Sequence, residues 1–166
     1  ELETLNGRVT LDDILDLSRI ESGRTALHPA PFDLHLLLED LERLFRARAE
    51  AKGLELLVER GEGVPRCVVG DQGKLRQVLV NLLRNGLDAM HGQTAPQLHV
   101  RAWAEGAMAH IAVRDHGPGL SADAQRRLFE PFYTTKPAGE GLGLGLAISL
   151  TIVESYGGAL NAHNMA

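Results

Sequence analysis

Apolar side chains recur at helical spacing in several stretches of the chain, and residues that begin or end helices bound each stretch. In the second stretch, for example, Asp33 is a suitable N-cap and Gly53 a suitable stop. The pattern predicts helices over residues 2–22, 33–53, 71–90, 122–129 and 143–156.

Alternating or short apolar runs lie between these helices and predict strands. The runs cover residues 54–60, 66–69, 97–104 and 108–115, and a last strand is predicted to begin at Ala159. Helices combined with an antiparallel or mixed sheet predict an α+β fold, a two-layer α/β sandwich with an N-terminal helix.

The segment His28-Pro-Ala-Pro31 interrupts the first helical pattern. Proline lacks an amide donor and restricts the residue before it, so a helix does not continue through this segment. We therefore predict two parts, a helical segment over residues 1–27 and a main domain over residues 28–166.

Composition and charge narrow the classes of function. The chain has 166 residues, of which 44% are hydrophobic and 23% charged, as in a soluble domain with its own core. Cys67 is the only cysteine, which excludes an internal disulfide. The net charge of −5 leaves no basic excess for a nucleic acid, and no apolar run approaches the roughly 18 residues of a membrane span. We predict no nucleic-acid partner and no membrane contact.

The predicted helix over residues 71–90 carries a polar row beside its apolar face. Gln77, Asn81, Asn85 and Asp88 fall within roughly an 80° arc at 100° per residue. Asparagine is a mediocre helix former, and amide and carboxylate oxygens suit a hard cation that is shared with substrate phosphates. The alternative is an ordinary solvated helix face.

Asp115 follows an apolar strand and precedes His-Gly-Pro-Gly. We expect a partly desolvated carboxylate there, able to accept a hydrogen bond from an exocyclic amine and so to select one base over another. The alternative is a turn aspartate that bonds its own backbone.

Residues 117–145 hold six of the eighteen glycines, and four of them alternate with other residues just before the last helix. Glycine lets backbone amides approach a ligand, and a helix start adds unpaired N–H groups, so this pattern predicts an anion site. The run lacks the lysine and hydroxyl ending of a P-loop, and a flexible linker is the alternative. Just before it, Phe129 and Phe132 are expected to pin a flap against the core, and Lys136 either reaches a phosphate or faces solvent.

Four segments in order resemble the signature boxes of the ATP-binding catalytic domain of sensor histidine kinases. That family belongs to the superfamily shared with gyrase, Hsp90 and MutL ATPases. The resemblance covers the chain from about Pro31 to the end and implies a Bergerat-type ATP-binding fold. The N box, first glycine box, F box and second glycine box resemble, in this order, residues 81–90, 115–119, 129–132 and 141–145.

The resemblance implies roles for individual residues, with ATP as nucleotide and Mg²⁺ as metal. Asn85 would be the Mg²⁺ ligand and Asp115 the acceptor for the adenine amine, while residues 117–142 would form the ATP lid. Asn81, Asn85 and Lys136 would be the catalytic residues. The remaining implied nucleotide contacts are Asp88, Gly117, Gly119, Phe132, Thr134, Thr135, Gly141, Leu142, Gly143, Leu144 and Gly145.

Asn81 bears on which reaction is implied. The ATPase relatives carry a glutamate there as the base that activates water, so an amide favours transfer to a protein acceptor. The implied function is transfer of the ATP γ-phosphoryl to a histidine and then to a response regulator receiver domain. A conformational ATPase and a non-catalytic nucleotide-sensing module are the alternatives.

The N-terminal stretch over residues 15–23 resembles the end of the second helix of the family's dimerisation and phosphoacceptor hairpin. None of the seven histidines lies in an acceptor context, so we expect a catalytic fragment that lacks its own acceptor and ends before the family's last strand. Its expected partners are that hairpin, the receiver domain and a second copy paired through residues 2–22. We expect a cytoplasmic location, as the catalytic portion of a membrane-bound bacterial sensor.

Overall fold

The computed structural model of the chain describes the backbone of residues 2–4 and 7–9, and residues 27–90, 92–93, 96–106, 108–137 and 141–165. Its strands are β1 Leu2–Thr4, β2 Gly7–Val9, β3 Ala30–Asp33, β4 Glu55–Arg60, β5 Cys67–Gly70, β6 Gln97–Glu105 and β7 Met108–Asp115. Its helices are α1 Leu34–Ala51, α2 Gln72–Ala89, α3 Ala122–Arg127 and α4 Gly145–Ser155. In the described ranges no helix is long and apolar enough to cross a membrane.

The chain forms two compact units. The sheet unit is Pro29–Gly119 and contains β3 to β7 with α1 and α2. The glycine-rich unit combines Glu1–His28 with Leu120–Ala166 and contains β1, β2, α3 and α4.

The sheet unit is a two-layer sandwich, as predicted. Its main sheet has the order β4-β6-β7, with β4 parallel to β6 and β6 antiparallel to β7. The short strands β3 and β5 form a separate antiparallel pair. Both helices pack on one face of the main sheet, and the core between them includes Leu37, Leu41, Phe45, Leu79, Leu83, Leu98 and Val100.

Side chains on β6 alternate between the two faces of the sheet. Leu98, Val100 and Ala102 are buried in the core under the helices. Trp103 points to the opposite face, where its ring stacks on that of His110 with 5.1 Å between centroids and 12° between planes. This period of two explains why the apolar run in the sequence is a half-buried strand.

The boundaries predicted for the helices that begin near residues 33, 71, 122 and 143 agree with the structure to within about two residues. Asp33 and Asp71 are the N-caps of α1 and α2, since their carboxylates accept from Leu36 N–H and Lys74 N–H at 2.9 and 3.0 Å. Ser121 caps α3 in the same way. These ends were predictable because capping depends on local sequence.

Asp33 also contacts Arg66, and this pair gives the sheet unit a dependence on pH. Arg66 Nε donates to Asp33 Oδ2 at 2.7 Å, and this bond, together with the Leu36 N–H, holds the pKa of Asp33 below its usual value. The stabilisation is therefore complete above about pH 4 and is lost as the pH falls through the lowered pKa. We expect wild type to have a higher urea midpoint than Asp33→Asn at pH 6, and the difference to shrink as the pH is lowered below about 4. A difference that does not change with pH would contradict this assignment.

The predicted helix over residues 2–22 is wrong at its start. Leu2–Thr4 and Gly7–Val9 form an antiparallel pair with Thr4 opposite Gly7, which leaves two residues between the strands. Glycine is unfavourable by about 1 kcal/mol inside a helix and favoured at the end of a tight turn, so local preferences at Gly7 oppose the apolar period. The rest of the predicted helix lies outside the described residues.

The end of the glycine-rich unit also differs from the expectation. α4 ends at Ser155 with Tyr156 as its C-cap, one residue before the predicted end, and Gly157 follows with φ +73°. Residues 158–165 contain no strand, although one was predicted from Ala159. The alternation there is short and its residues are mostly small or polar, which does not favour strand pairing.

Candidate functional site

The polar row on α2 lies where the helical period placed it. Asn81, Asn85 and Asp88 are half-buried, and the neighbouring arc is buried through Val78, Leu79, Leu83, Gly86 and Leu87. Leu83 and Leu87 are buried, whereas Leu75 and Leu82 of the apolar face are half-buried, because α2 packs on α1 as well as on the sheet. The three polar residues therefore stand at the border between core and surface.

Gly86 brings the N-box helix against the end of β7. A Cβ at Gly86 would lie 2.6 Å from Leu98 Cδ1 and 3.6 Å from Asp115 Cβ. Leu98 is fully buried and pairs with Asp115 across β6 and β7, so both side chains face α2. The residue next to Asn85 thus packs directly against Asp115, and these two predicted site segments are neighbours within the sheet unit.

Asp115 organises the turn that follows it. Its Oδ1 accepts a hydrogen bond from Gly117 N–H at 2.9 Å, as in the turn-aspartate alternative. A Cβ at Gly117 would lie 2.7 Å from the same oxygen and 2.9 Å from the carbonyl oxygen of Ala89, the last residue of α2. Gly117 is therefore required for close packing of the turn on α2. The expected desolvation of Asp115 is wrong, because the residue is exposed at the strand end.

Asp88 has a partner that sequence reasoning did not find. Lys52 Nζ lies 3.2 Å from Asp88 Oδ1, and this ion pair joins the C-terminal ends of α1 and α2. The two residues are 36 positions apart, so no local pattern signals the contact. An ion pair this exposed contributes about 0–1 kcal/mol, and it gives Asp88 a structural contact independent of any nucleotide.

In the glycine-rich unit, the F box and the second glycine box contact each other. Phe132 N–H donates to Gly143 carbonyl oxygen at 3.0 Å. A Cβ at Gly143 would lie 2.4 Å from Tyr133 carbonyl oxygen and 2.6 Å from Phe132 carbonyl carbon, and Gly143 has φ +69°. No other residue type fits this position without moving the backbone.

Phe132 itself corrects one expectation. It has φ +66°, the only positive value of a non-glycine residue that the structure records, and it is 61% exposed. Its ring does not pin a flap against a core, whereas Leu128 is buried and Phe129 half-buried. The backbone hydrogen bond from Phe132 N–H to Gly143 carbonyl oxygen, and not packing of the ring, holds Phe132 in this conformation.

The predicted phosphate contacts after the F box form a local cluster. Thr134 and Thr135 are exposed, and Thr134 Oγ1 accepts from Lys136 N–H at 3.1 Å. A Cβ at Gly141 would lie 3.7 Å from Lys136 Cδ, so the lysine stem passes beside the second glycine box. Leu142 is 43% exposed, whereas Leu144 is buried. The stem of Lys136 thus lies beside Gly141, and the contact of Lys136 with a phosphate stays a prediction.

The start of α4 has features that suit an anion. Its N-cap is Leu144, which makes no side-chain hydrogen bond to the first turn. The last turn of the glycine run leads directly into Gly145, the first residue of the helix. A leucine side chain cannot cap the first turn, and the positive end of the helix dipole favours an anion at this position.

A second cluster that sequence reasoning missed surrounds Arg127. Its Nε donates to Glu130 Oε2 at 2.9 Å, its Nη1 lies 3.5 Å from Asp123 Oδ2, and its guanidinium carbon lies 4.5 Å from the Tyr133 ring centroid. The bond to Glu130 is the main reason that the pKa of Arg127 is raised. The spacings of three and four residues were a usable signal for the ion pairs. The cluster joins α3 to Tyr133, whose carbonyl oxygen packs against Gly143.

The donor set on α2 fits Mg²⁺ that is shared with phosphates. Within the described ranges no group of three or more His, Cys, Asp or Glu side chains is arranged to hold a metal ion. Asn81 and Asn85 carry amide oxygens, and Mg²⁺ takes a few protein oxygens when substrate phosphates and water complete its shell. A groove of about 620 Å³ beside β4, lined by residues such as Glu42, Glu50 and Leu57, contains none of the predicted site residues.

Comparison with known proteins agrees with this arrangement. Residues 70–166 match the family described as histidine kinase-, DNA gyrase B-, and HSP90-like ATPase. The chain is 34% identical over 150 residues to the alginate biosynthesis sensor protein KinB of Pseudomonas aeruginosa, covering 90% of this chain and 25% of KinB. It is 36% identical over 156 residues to the signal transduction histidine-protein kinase BaeS of Escherichia coli, covering 92% of this chain and 32% of BaeS.

Solved structures give the same result. The catalytic domain of histidine kinase ThkA superposes with a TM-score of 0.74 and 25% identity, covering 84% of this chain and 89% of that domain. Full-length ShkA in complex with AMPPNP superposes with a TM-score of 0.77 and 32% identity, covering 88% of this chain and 30% of ShkA. The chain spans about a quarter to a third of the curated relatives named above. The family match, the sensor-kinase relatives and the shared fold together show that this chain belongs to the histidine kinase-, DNA gyrase B- and HSP90-like ATPase family, as an ATP-binding domain of the sensor histidine kinase type.

Proposed function

We propose that this domain binds Mg-ATP and, within a longer sensor kinase, transfers the γ-phosphoryl group to a histidine. That histidine lies on a dimerisation hairpin, which passes the phosphoryl group to a response regulator receiver domain. The packing of Gly86 against Asp115 carries the proposal most directly, because it brings the N box and the first glycine box together on one end of the sheet unit.

The domain acts in the cytoplasm, as part of a membrane-bound sensor.

The sheet unit would provide the adenine and metal contacts. Asp115 Oδ1 is engaged by Gly117 N–H, and Oδ2 is the oxygen we assign to the adenine amine. Gly117 and Gly119 would shape the adenine pocket, and Asn85 would hold Mg²⁺ together with the phosphates. Bound Mg²⁺ would neutralise phosphate charge during transfer.

The glycine-rich unit would provide the phosphate contacts. Backbone N–H groups around Gly141, Gly143 and Gly145, together with the first turn of α4, suit phosphate oxygens. Lys136 adds a positive charge on a stem that passes beside Gly141. Phe132, Thr134, Thr135, Leu142 and Leu144 would shape the same loop. Phosphoryl transfer needs mainly positioning and charge stabilisation, which these groups provide.

Asn81 supports transfer over hydrolysis. An amide does not remove a proton from water at neutral pH, so the helix lacks the base that a conformational ATPase needs at this position. Asp88 has its own ion pair with Lys52, and we propose that it supports the position of α2 beside the nucleotide.

Residues 1–27 remain the proposed link to the hairpin. Pairing with a second copy through residues 2–22 has no helical basis over Leu2–Thr4 and Gly7–Val9, which are strands. The remainder of this pairing segment, residues 10–22, lies outside the described residues.

Incubation with radiolabelled ATP tests the function. We expect the chain to bind ATP, to release little free phosphate and to label an added dimerisation hairpin that carries its histidine. Steady phosphate release without acceptor would favour the conformational ATPase. ATP binding without release or labelling would favour the nucleotide-sensing module.

Asn85→Ala tests the metal assignment. We expect it to abolish most of the gain in affinity that Mg²⁺ gives to a fluorescent ATP analogue, while metal-free binding changes little. Titrations with Mg²⁺ and with EDTA measure this difference. Arg84→Ala is the matched control, because Arg84 is the adjacent residue on α2 and is exposed. An Mg²⁺ effect that survives in Asn85→Ala would remove this residue from the metal site.

A further inference from the structure

The side-chain amide of Asn164 is bonded at both ends to one backbone residue. Asn164 Oδ1 accepts from Leu120 N–H at 2.7 Å, and Asn164 Nδ2 donates to Leu120 carbonyl oxygen at 2.8 Å. The residues are 44 positions apart, and both belong to the glycine-rich unit. These two hydrogen bonds join the segment after α4 to Leu120, the residue just after the first glycine box.

The backbone of Leu120 lies between two residues with assigned roles, so fixing it also restrains both of them. It directly follows Gly119 and directly precedes Ser121, whose hydroxyl accepts from Ala124 N–H at 3.1 Å as the cap of α3. Farther along, Phe132 N–H donates to Gly143 carbonyl oxygen at 3.0 Å. Residues 120–132 are therefore fastened at both ends, by Asn164 at the first and by Gly143 at the second.

The chemistry of asparagine suits this contact. A primary amide has a donor and an acceptor side by side, so it satisfies the N–H and the C=O of one peptide residue as a neighbouring strand would. Aspartate keeps an acceptor for Leu120 N–H, but its second oxygen would face Leu120 carbonyl oxygen. Alanine leaves both backbone groups to solvent.

We propose that Asn164 is a positioning residue of the ATP lid, one that keeps residues 120–132 as a fixed stem. This inference rests on the function proposed above. Loosening the stem adds conformational entropy that binding must remove, so bound nucleotide leaves faster. Both ends of the Asn164 amide are occupied by Leu120, so we expect base preference and Mg²⁺ dependence to be independent of this residue.

Stopped-flow dissociation of a fluorescent ATP analogue from the full chain tests the proposal. Asn164→Ala removes both hydrogen bonds, and Asn164→Asp removes one and turns an oxygen toward Leu120 carbonyl oxygen. We expect either variant to raise the dissociation rate about five- to tenfold. The ratio of ATP to GTP affinity and the Mg²⁺ dependence should stay as in wild type. Asn161→Ala is the matched control, because Asn161 is an exposed asparagine of the same segment.

Hydrogen exchange at the Leu120 amide, measured without nucleotide, tests the contact independently of binding. We expect faster exchange in Asn164→Ala than in wild type and in Asn161→Ala. Unchanged dissociation in both Asn164 variants, with wild-type binding intact, would overturn the lid proposal and leave the function standing. A changed base preference would also overturn it, since Asn164 would then act on the nucleotide itself. Absence of ATP binding by wild type would instead overturn the function.

Discussion

Replacing Gly143 with alanine is expected to reduce ATP affinity about tenfold or more and to lower the melting temperature by about 5–10 °C. The added Cβ would lie 2.4 Å from Tyr133 carbonyl oxygen, a backbone atom that cannot turn aside as a side chain can. Alanine also disfavours φ near +69°, at a cost of about 1–2 kcal/mol. The Phe132–Gly143 bond must then break or shift. Calorimetry and titration of a fluorescent ATP analogue measure the two effects.

Two other glycines of the same unit separate the causes. Gly157 has φ +73° and nothing within 4 Å of an added Cβ, so Gly157→Ala carries the backbone cost alone. For Gly141, the nearest atom is Lys136 Cδ at an ordinary 3.7 Å, so Gly141→Ala should leave the melting temperature nearly unchanged. We expect Gly143→Ala to be clearly the most destabilising of the three. If Gly157→Ala is equally destabilising, the contact with the F box contributes nothing.

Replacing Asp115 with asparagine is expected to weaken ATP binding about tenfold or more while the turn stays folded. Asparagine can keep an oxygen toward Gly117 N–H, which now bonds Asp115 Oδ1 at 2.9 Å. Its other end becomes an N–H donor, which opposes the donor amine of adenine and favours a base with a carbonyl group. We therefore expect the preference for ATP over inosine triphosphate to fall or to invert in the variant.

Glu105→Gln removes the same charge from the sheet unit and provides the control. Its side chain is 79% exposed at the end of β6, away from the turn at Asp115. Isothermal titration with both nucleotides gives the comparison. Equal loss of affinity for ATP and inosine triphosphate in Asp115→Asn would show that the carboxylate acts by general charge and not by reading the amine.

The helices and the local chemistry of the site were largely predictable. The caps at Asp33 and Asp71 and the polar row at Asn81 and Asn85 depend on residues close in sequence, so spacing alone located them. The hairpin of β6 and β7 was equally visible, because a turn signal joins two alternating runs. The family resemblance followed from the order of four short segments.

Contacts between distant residues were not predictable in the same way. Nothing local indicates that Gly86 packs on Leu98, that Lys52 reaches Asp88 or that Asn164 holds Leu120, because each depends on how the elements meet. The error at the N-terminus had a different cause. There the prediction followed an apolar period near that of a helix and gave too little weight to the preference of Gly7 for a turn. In the structure the first residues pair as strands.

The stacked pair of Trp103 and His110 makes the sheet unit observable by itself. Trp103 is the sole tryptophan, so intrinsic fluorescence during denaturation follows one unit while circular dichroism at 222 nm follows helices of both. Coincident transitions would mean that the chain unfolds as one cooperative body. Separate transitions would give each unit its own melting curve and show which of them a given substitution destabilises.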